Sequence, residues 1–361
     1  MQACTAIALS GGIDSLVAAA LLRDRGCRLI ALHFLSGYEA GGGLCGTHGD
    51  DANFAALENR ARRSILPLAD QLDIPLHIID LRKEFQEQVV DYFVDTYGRG
   101  QTPNPCLVCN PAIKFTILLE KARIWGATHI ASGHYATIEA ADDGRMRLLA
   151  GIDKRKDQSY FLARLSQQQL ASAVLPLGKL TKEQTRRIAH SKGLIPATTT
   201  ESQDICFINE GTYNDFLARQ PGFRSQPGSI EDMGGHVIGS HKGLHHYTVG
   251  QRRGINCPAA EPYYVVQIDQ QRNCLRVGNK EDLLTDRCRV DHINWIAPAP
   301  QRPLQVMVRV RYRHKAVSAL LSPIDTNRVE IRFDAPEPAV TPGQGAVFYQ
   351  DDEVLGGGWI E

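Results

Sequence analysis

Between residues 5 and 134, short apolar runs alternate with stretches of helical period, and that alternation limits what the chain can fold into. TAIALS (5–10), RLIALHF (28–34), PLHIID (75–80) and ATHIASGH (127–134) read as buried strands. DSLVAAALLRDRG, between the first two, puts Leu16, Ala19 and Ala20 on one helical face and stops at Gly26. Further helices are expected over 53–72 and over 84–97, where Phe85, Val89 and Phe93 recur every four residues, and around Ile117, Leu118 and Ala122. A helix after each strand returns the chain to the start of the sheet, so successive strands run parallel. This half therefore predicts a doubly wound α/β sheet covered on both faces.

The pattern changes after about residue 205. Residues 221–235 are rich in Pro and Gly and read as a break or long loop. From 262 onward the chain reads as short strands with turns: YYVVQID, NCLRVG, VMVRVRYR, RVEIRF, AVFYQ and VLGGGWI. Such spacing suggests a small β-barrel or sandwich. The expected class is α/β plus β, divided as 1–205, a small central domain 206–283 and a C-terminal β-barrel 284–361.

Charge and cysteine content narrow the function. The 40 Lys and Arg cancel the 40 Asp and Glu, which excludes a charge-saturated nucleic-acid binder but leaves room for a local basic patch. In VMVRVRYRHK, Arg309, Arg311 and Arg313 alternate with Val308, Val310 and Tyr312; at strand period the three arginines would share one face. Arg252, Arg253 and the run Lys154, Arg155, Lys156 are further basic candidates. The longest apolar run, 16–22, is far short of the roughly 20 residues of a membrane helix. No export leader is visible, and the nine cysteines are an odd number, so reduced, catalytic or metal-binding thiols in the cytoplasm are expected.

Residues 10–15, SGGIDS, sit between the first strand and the first helix. Glycines there let backbone approach a ligand, and the helix N-terminus offers free N–H groups to an anion. The loop is neither a Walker motif nor a dinucleotide fingerprint. On its own it could equally be a tight turn that starts a helix. Cys106 and Cys109 form a CxxC pair, and Cys206 lies 97 positions beyond Cys109. Cys4 and Cys27 flank strands, Cys45 lies in the glycine-rich run 41–51, and Cys257, Cys274 and Cys288 lack partners at metal spacing. Four histidines, at 236, 241, 245 and 246, match no strict metal motif.

SGGIDS resembles the PP-loop of ATP pyrophosphatases, which cleave ATP between its α- and β-phosphates to adenylate an unreactive oxygen. TPNPCLVCNPAIKF (102–115) is similar to a signature of the tRNA-specific 2-thiouridylases. GHYA (133–136), KDQSYFL (156–162), ESQDICFI (201–208), HHYTVGQRRG (245–254), RVRYRHK (309–315) and PGQGAVFY (342–349) match the same family in collinear order. The resemblance implies an adenine-nucleotide α-hydrolase-like N-terminal domain that binds ATP and Mg²⁺. Ala8, Leu9, Ser10, Gly11, Gly12, Ile13, Asp14 and Ser15 would hold the nucleotide, Phe34 and Gly133 would bound adenine and ribose, and Asp14 would help with Mg²⁺. It also implies that O2 of the wobble uridine is adenylated and replaced by sulfur to give 2-thiouridine.

In that scheme Cys206 carries a persulfide and Cys109 is its partner, releasing the sulfur through a disulfide or attacking directly. Asn104, Pro105, Cys106, His134, Lys156, Asp157, Gln158, Arg311, Tyr312 and Gln344 would contact the tRNA anticodon region. The sulfur source would be a cysteine desulfurase, a relay carrier or sulfide; no membrane partner is implied. The chain departs from the family at Cys106, where most members have Asp. Cys106, Cys109 and Cys206 could thus hold three corners of a [4Fe–4S] cluster; a persulfide relay without a cluster, a zinc site and an inert Cys106 are the alternatives. An adenylating ligase of the amidotransferase type, or an RNA-binding or sulfur-carrier module without catalysis, are the competing functions.

Overall fold

The computed structural model describes residues 4–39, 51–198, 205–258 and 261–361, excepting the side chains of 51–53. The chain forms two compact units: 1–89, 106–210 and 352–355 in the first, and 90–105, 211–351 and 356–361 in the second. The run containing Cys45 lies outside the described residues.

The first unit opens with β1 (Cys4–Ala8), α1 (Ile13–Asp24), β2 (Arg28–Leu35), α2 (Asp51–Asp70) and β3 (Leu76–Asp80). It continues with β4 (Ala127–Ala131), the hairpin β5 (Ala136–Ala140) and β6 (Met146–Ala150), and the short β7 (Ala173–Val174). A parallel sheet runs in the order β3-β2-β1-β4-β7. From β1 the chain winds outward to β3, then returns to the other side of β1 as β4. The carboxyl ends of β1 and β4 are thus the switch point where doubly wound sheets bind ligands. Residues 10–15 leave the sheet there.

α1 is buried almost all round. Leu16, Val17, Ala18, Ala19 and Ala20 are each 0% exposed, and they pack with Ile65, Leu68 and Leu72. The expected strand 127–134 ends early, at Ala131, where Ser132 N–H pairs with Val174 O (3.1 Å) and the chain turns out of the sheet. The helix expected over 84–97 is Arg82–Phe85, a π-helical stretch Gln86–Val90, and Asp91–Gly98. The β5–β6 hairpin was invisible to the periodicity reading. Glu353, paired with β6, is held at 2.7 Å by both Arg145 and Arg147.

The second unit contains two β-structures. β8 (Gly228–Glu231), β9 (Val237–His241), β10 (Tyr264–Asp269) and β11 (Cys274–Gly278) form a sheet ordered β10-β11-β8-β9. Ile230, Tyr247, Val265, Leu275 and Val277 fill its core. A strand therefore begins inside the expected loop 221–235. After it come β12 (Leu284–Trp295), β13 (Leu304–Arg309), β14 (Val317–Pro323), β15 (Val329–Pro338), β16 (Gly345–Gln350) and β17 (Glu353–Ile360). Their order is β12-β15-β14-β13-β16-β17, and pairing of β12 with β17 closes the barrel and removes its edges.

The expected arginine stripe is corrected here. β13 stops at Arg309, so Arg311 and Arg313 are not on a strand and share no face with it. Arg311 bends inward instead. Its Nη2 donates to Val249 O (2.8 Å), Ala339 O (2.9 Å) and Thr341 Oγ1, and this satisfaction of backbone carbonyls outweighs continuing the strand.

Candidate functional site: the glycine loop and the thiol helix

The loop after β1 leaves the first N–H groups of α1 without a side-chain cap, an arrangement that can receive an anion. Gly11 sits at φ 89°, a left-handed conformation that suits glycine, and its carbonyl accepts Ala197 N–H at 2.9 Å. Gly12 caps α1 without any side-chain bond, so the first N–H groups of the helix carry no built-in cap. Ser15 Oγ donates to Gly12 O (3.0 Å), accepts Ser10 N–H (3.2 Å) and lies 3.3 Å from Ser10 Oγ. Leu9 N–H pairs with Leu32 O, and Leu9 O meets His33 Nδ1 at 2.7 Å, which pins the floor of the loop. Burial keeps the His33 pKa below its ordinary value.

Gly133 is required by close approach. A Cβ on it would fall 2.7 Å from Ser15 N and 2.8 Å from the Asp14 carbonyl carbon. β4 therefore delivers its last turn directly onto the start of α1. Phe34, at the end of β2, is half-buried with its ring 6.2 Å from that of Phe85.

Asp14 does not face an open metal position. Lys182 Nζ bonds its two carboxylate oxygens at 2.8 and 2.7 Å, and Tyr135 OH donates to one of them at 2.7 Å. No group of three or more His, Cys, Asp or Glu among the described residues is arranged to hold a metal ion. The Asp14 carboxylate, already paired with an ammonium, thus does not fit a protein-built Mg²⁺ site.

The thiols form the second part of the site. Cys106–Cys109 is one helical turn that runs into a π-helical stretch, Asn110–Ile117. Lys114 follows Cys109 by five residues, the i→i+5 interval of π-helical bonding. Cys106 and Cys206 are exposed and Cys109 is buried; all three are free thiols. Surrounding protein desolvates them all the same, raising Cys106 to about 11, Cys109 to about 12 and Cys206 above its ordinary value. Cys206 and Cys109 are 97 positions apart in sequence, yet the charge of Cys206 reaches Cys109 and Cys106, and the Lys114 ammonium opposes the shift at all three.

Phe207 anchors Cys206. It is buried, with its ring 5.7 Å from Phe85 and 6.0 Å from Tyr38. His134 lies beside the thiol helix, its ring 6.1 Å from Phe115 and its Nδ1 2.7 Å from Ser132 Oγ. Burial, with Lys114 adding to it, pushes His134 well below its ordinary pKa, so the imidazole is neutral. Gly133 and His134 therefore join the glycine loop to the thiol helix along one wall.

The remaining expected residues divide by unit. In the first, Asp157 is buried and its Oδ1 accepts N–H bonds from Gly151 and Ser159 (3.0 Å each). Gln158 Oε1 accepts Tyr135 N–H at 3.0 Å, and Lys156 is half-buried. Asp157 and Gln158 thus brace the backbone near Gly133. In the second unit, Gln344 Nε2 donates to Thr102 O (3.1 Å) and Pro103 O (3.0 Å), while Asn104 and Pro105 are buried. Tyr312 is half-buried there, its ring 5.8 Å from the Arg309 guanidinium carbon. The residues that sequence reasoning left without a role are Lys182, Tyr135 and Lys114. Tyr135 and Lys114 lie in quoted motifs and Lys182 lies outside them all, and none carries a spacing that announces it.

Comparison with known proteins divides the chain into three successive segments. Residues 4–210 match the family model described as tRNA methyl transferase HUP domain, 214–279 its PRC-barrel domain, and 285–360 an aminomethyltransferase beta-barrel domain. A tRNA-specific 2-thiouridylase MnmA of Desulfosudis oleivorans is 48% identical over 98% of this chain and 94% of its own length. Proteins of the same name from Geotalea uraniireducens (44%) and Syntrophotalea carbinolica (45%) align over 98% of this chain and 94% and 97% of theirs. Identity at this level, carried from end to end, makes the chain a member of the tRNA-specific 2-thiouridylase family of PP-loop proteins.

Proposed function

We propose that the protein is an ATP-dependent tRNA sulfurtransferase that converts the wobble uridine to 2-thiouridine. One observation carries the chemistry: a single short segment meets both parts of the site, with Gly133 packed on Ser15 N at the glycine loop and His134 beside Phe115 of the helix that follows Cys109. The O2 of uridine is a poor leaving group. Transfer of AMP from ATP onto it, with release of pyrophosphate, turns it into a phosphate ester that sulfur can displace.

The uncapped start of α1 would hold the phosphates, whose charge Mg²⁺ would help to neutralise. A donor such as a cysteine desulfurase or relay carrier loads Cys206 as a persulfide. The terminal sulfur attacks C2 of the activated uridine and AMP leaves. The Cys109 thiolate then attacks the Cys206 sulfur, forming a disulfide and freeing the thiolated base; a thiol reductant restores both cysteines. The target base must leave its stack to reach these groups. Asn104, Pro105, His134, Lys156, Arg311, Tyr312 and Gln344 are the proposed tRNA-side residues, with Arg311, Gln344, Asp157 and Gln158 acting through the backbone they brace.

The test supplies tRNA, ATP and a persulfide donor, and follows both pyrophosphate release and 2-thiouridine by mass spectrometry. Cys109→Ser and Cys206→Ser should each lower thiolation by at least about 10³-fold while the unmodified protein thiolates. Full thiolation in both variants would overturn the cysteine relay, and pyrophosphate release by the unmodified protein without any 2-thiouridine would point to an adenylating ligase instead. Iron and acid-labile sulfide in protein purified without oxygen, together with loss of activity when they are removed, would replace the relay with a cluster.

A further inference from the structure

The pairing of Asp14 with Lys182 is unexplained by the PP-loop motif. An acidic side chain in the first turn of a helix is ordinarily drawn to the free N–H groups and the positive end of the dipole. In an anion site that carboxylate would compete with the ligand and repel it. Here Asp14 occupies the first turn of α1, yet it accepts no backbone N–H bond among the described residues. Its partners are the Lys182 ammonium and the Tyr135 hydroxyl.

Both partners are fixed from behind. Lys182 is 6% exposed and is the first residue of the helix Lys182–Ser191. Thr181 and Gln184 form a reciprocal capping box at that helix start, and Lys182 N–H donates to Asp153 Oδ2 at 3.0 Å. Tyr135 is buried, and its hydroxyl also lies 3.0 Å from Thr185 Oγ1, one turn into the same helix. The carboxylate is thus held sideways by a second, capped helix.

We propose that Lys182 is a positioning residue of the ATP site, which with Tyr135 neutralises Asp14 and keeps its carboxylate clear of the loop N–H groups so that the phosphates take them. The inference rests on the ATP-dependent reading above and deepens it. It also removes Asp14 from the role of Mg²⁺ ligand, because an ammonium already bonds both carboxylate oxygens and balances their charge.

The experiment measures ATP binding by equilibrium dialysis, with tRNA affinity measured in parallel. Lys182→Met should weaken ATP at least tenfold, because Asp14 is left charged beside the phosphates, and should leave tRNA affinity unchanged. Lys182→Arg should stay within about threefold of the unmodified protein. The discriminating variant is Asp14→Asn with Lys182→Met, which has no charge left to repel ATP and should recover most of the loss. If this double variant binds as weakly as Lys182→Met alone, Lys182 touches the phosphates itself and the inference fails. It fails too if Asp14→Asn alone raises the Mg²⁺ half-saturation tenfold. Tyr135→Phe keeps the ion pair and the fold's apolar contacts. It should weaken ATP two- to fivefold; no change would count against the scheme even if Lys182→Met does not fold. Absence of ATP binding by the unmodified protein would instead overturn the ATP reading, and this inference with it.

Discussion

The glycine loop and the thiol helix lie on one wall of the first unit but are prepared in opposite ways. The loop is electrically settled: its one carboxylate is paired, its serines bond one another, and its N–H groups stand ready. The thiol helix is electrically unsettled. Three sulfur groups are held toward their protonated forms by desolvation, with a single ammonium, Lys114, opposing. On the function proposed above, the difference teaches that the nucleotide's place is preorganised, whereas desolvation disfavours the thiolates until something changes around the sulfurs. A persulfide, more acidic than a thiol, or a bound polyanion that alters the pocket's solvation, would be such a change.

The largest effect should come from breaking the wall itself. Gly133→Ala forces a Cβ against Ser15 N, a backbone atom that cannot step aside. Overpacking of this kind costs about 1–3 kcal/mol, and because it displaces the start of α1, pyrophosphate release should fall about a hundredfold in a steady-state assay. Unaltered release would show that loop and wall are independent.

The withheld reactivity is measurable next. Cys106 reaches solvent, but its thiol is raised to about 11, so at pH 8 its thiolate fraction should lie at least tenfold below that of an ordinary cysteine. Alkylation of Cys106, followed by peptide mass spectrometry, should climb steadily from pH 8 to pH 10 rather than level off. The sign is set by the direction of the shift: a thiol with raised pKa gains thiolate only as pH rises toward the new value.

A smaller change should follow Lys114→Gln. Removing the one cation that favours thiolate should slow alkylation of Cys106 and Cys206 about three- to tenfold at pH 8 and leave ATP binding untouched. A parallel loss of ATP binding would erase the distinction between the two halves of the site. The mildest variant is Cys106→Asp. It adds a fixed negative charge three residues from Cys109, which should slow Cys109 alkylation about two- to threefold. Cys106→Ala should not.

Much of the first unit could be read from the chain. β1, α1, β2, α2 and β3 lie within a few residues of where apolar runs and helical spacing put them, because burial on both faces leaves uninterrupted apolar stretches. β5, β6, β7, β8, β9, β12 and β14 fall outside every expected strand. Most of these are half-exposed and interrupted by polar residues, so they lack the continuous signal. Arg311 was misplaced for a different reason: alternation in VRVRYR looks like a strand, but three waiting oxygens on distant segments drew the guanidinium inward.

From the order of its residues alone, this protein settled a strand–loop–helix able to cradle an anion and a pair of cysteines three apart, since local periodicity and glycine placement act over a few residues. Which groups stand against them was decided only in three dimensions. Lys182 reaches Asp14 across 168 positions, and Cys206 comes near Cys109 from 97 away. Electrostatic energy depends on distance through space and on the water excluded between charges, and neither is recorded in the spacing of letters along a chain.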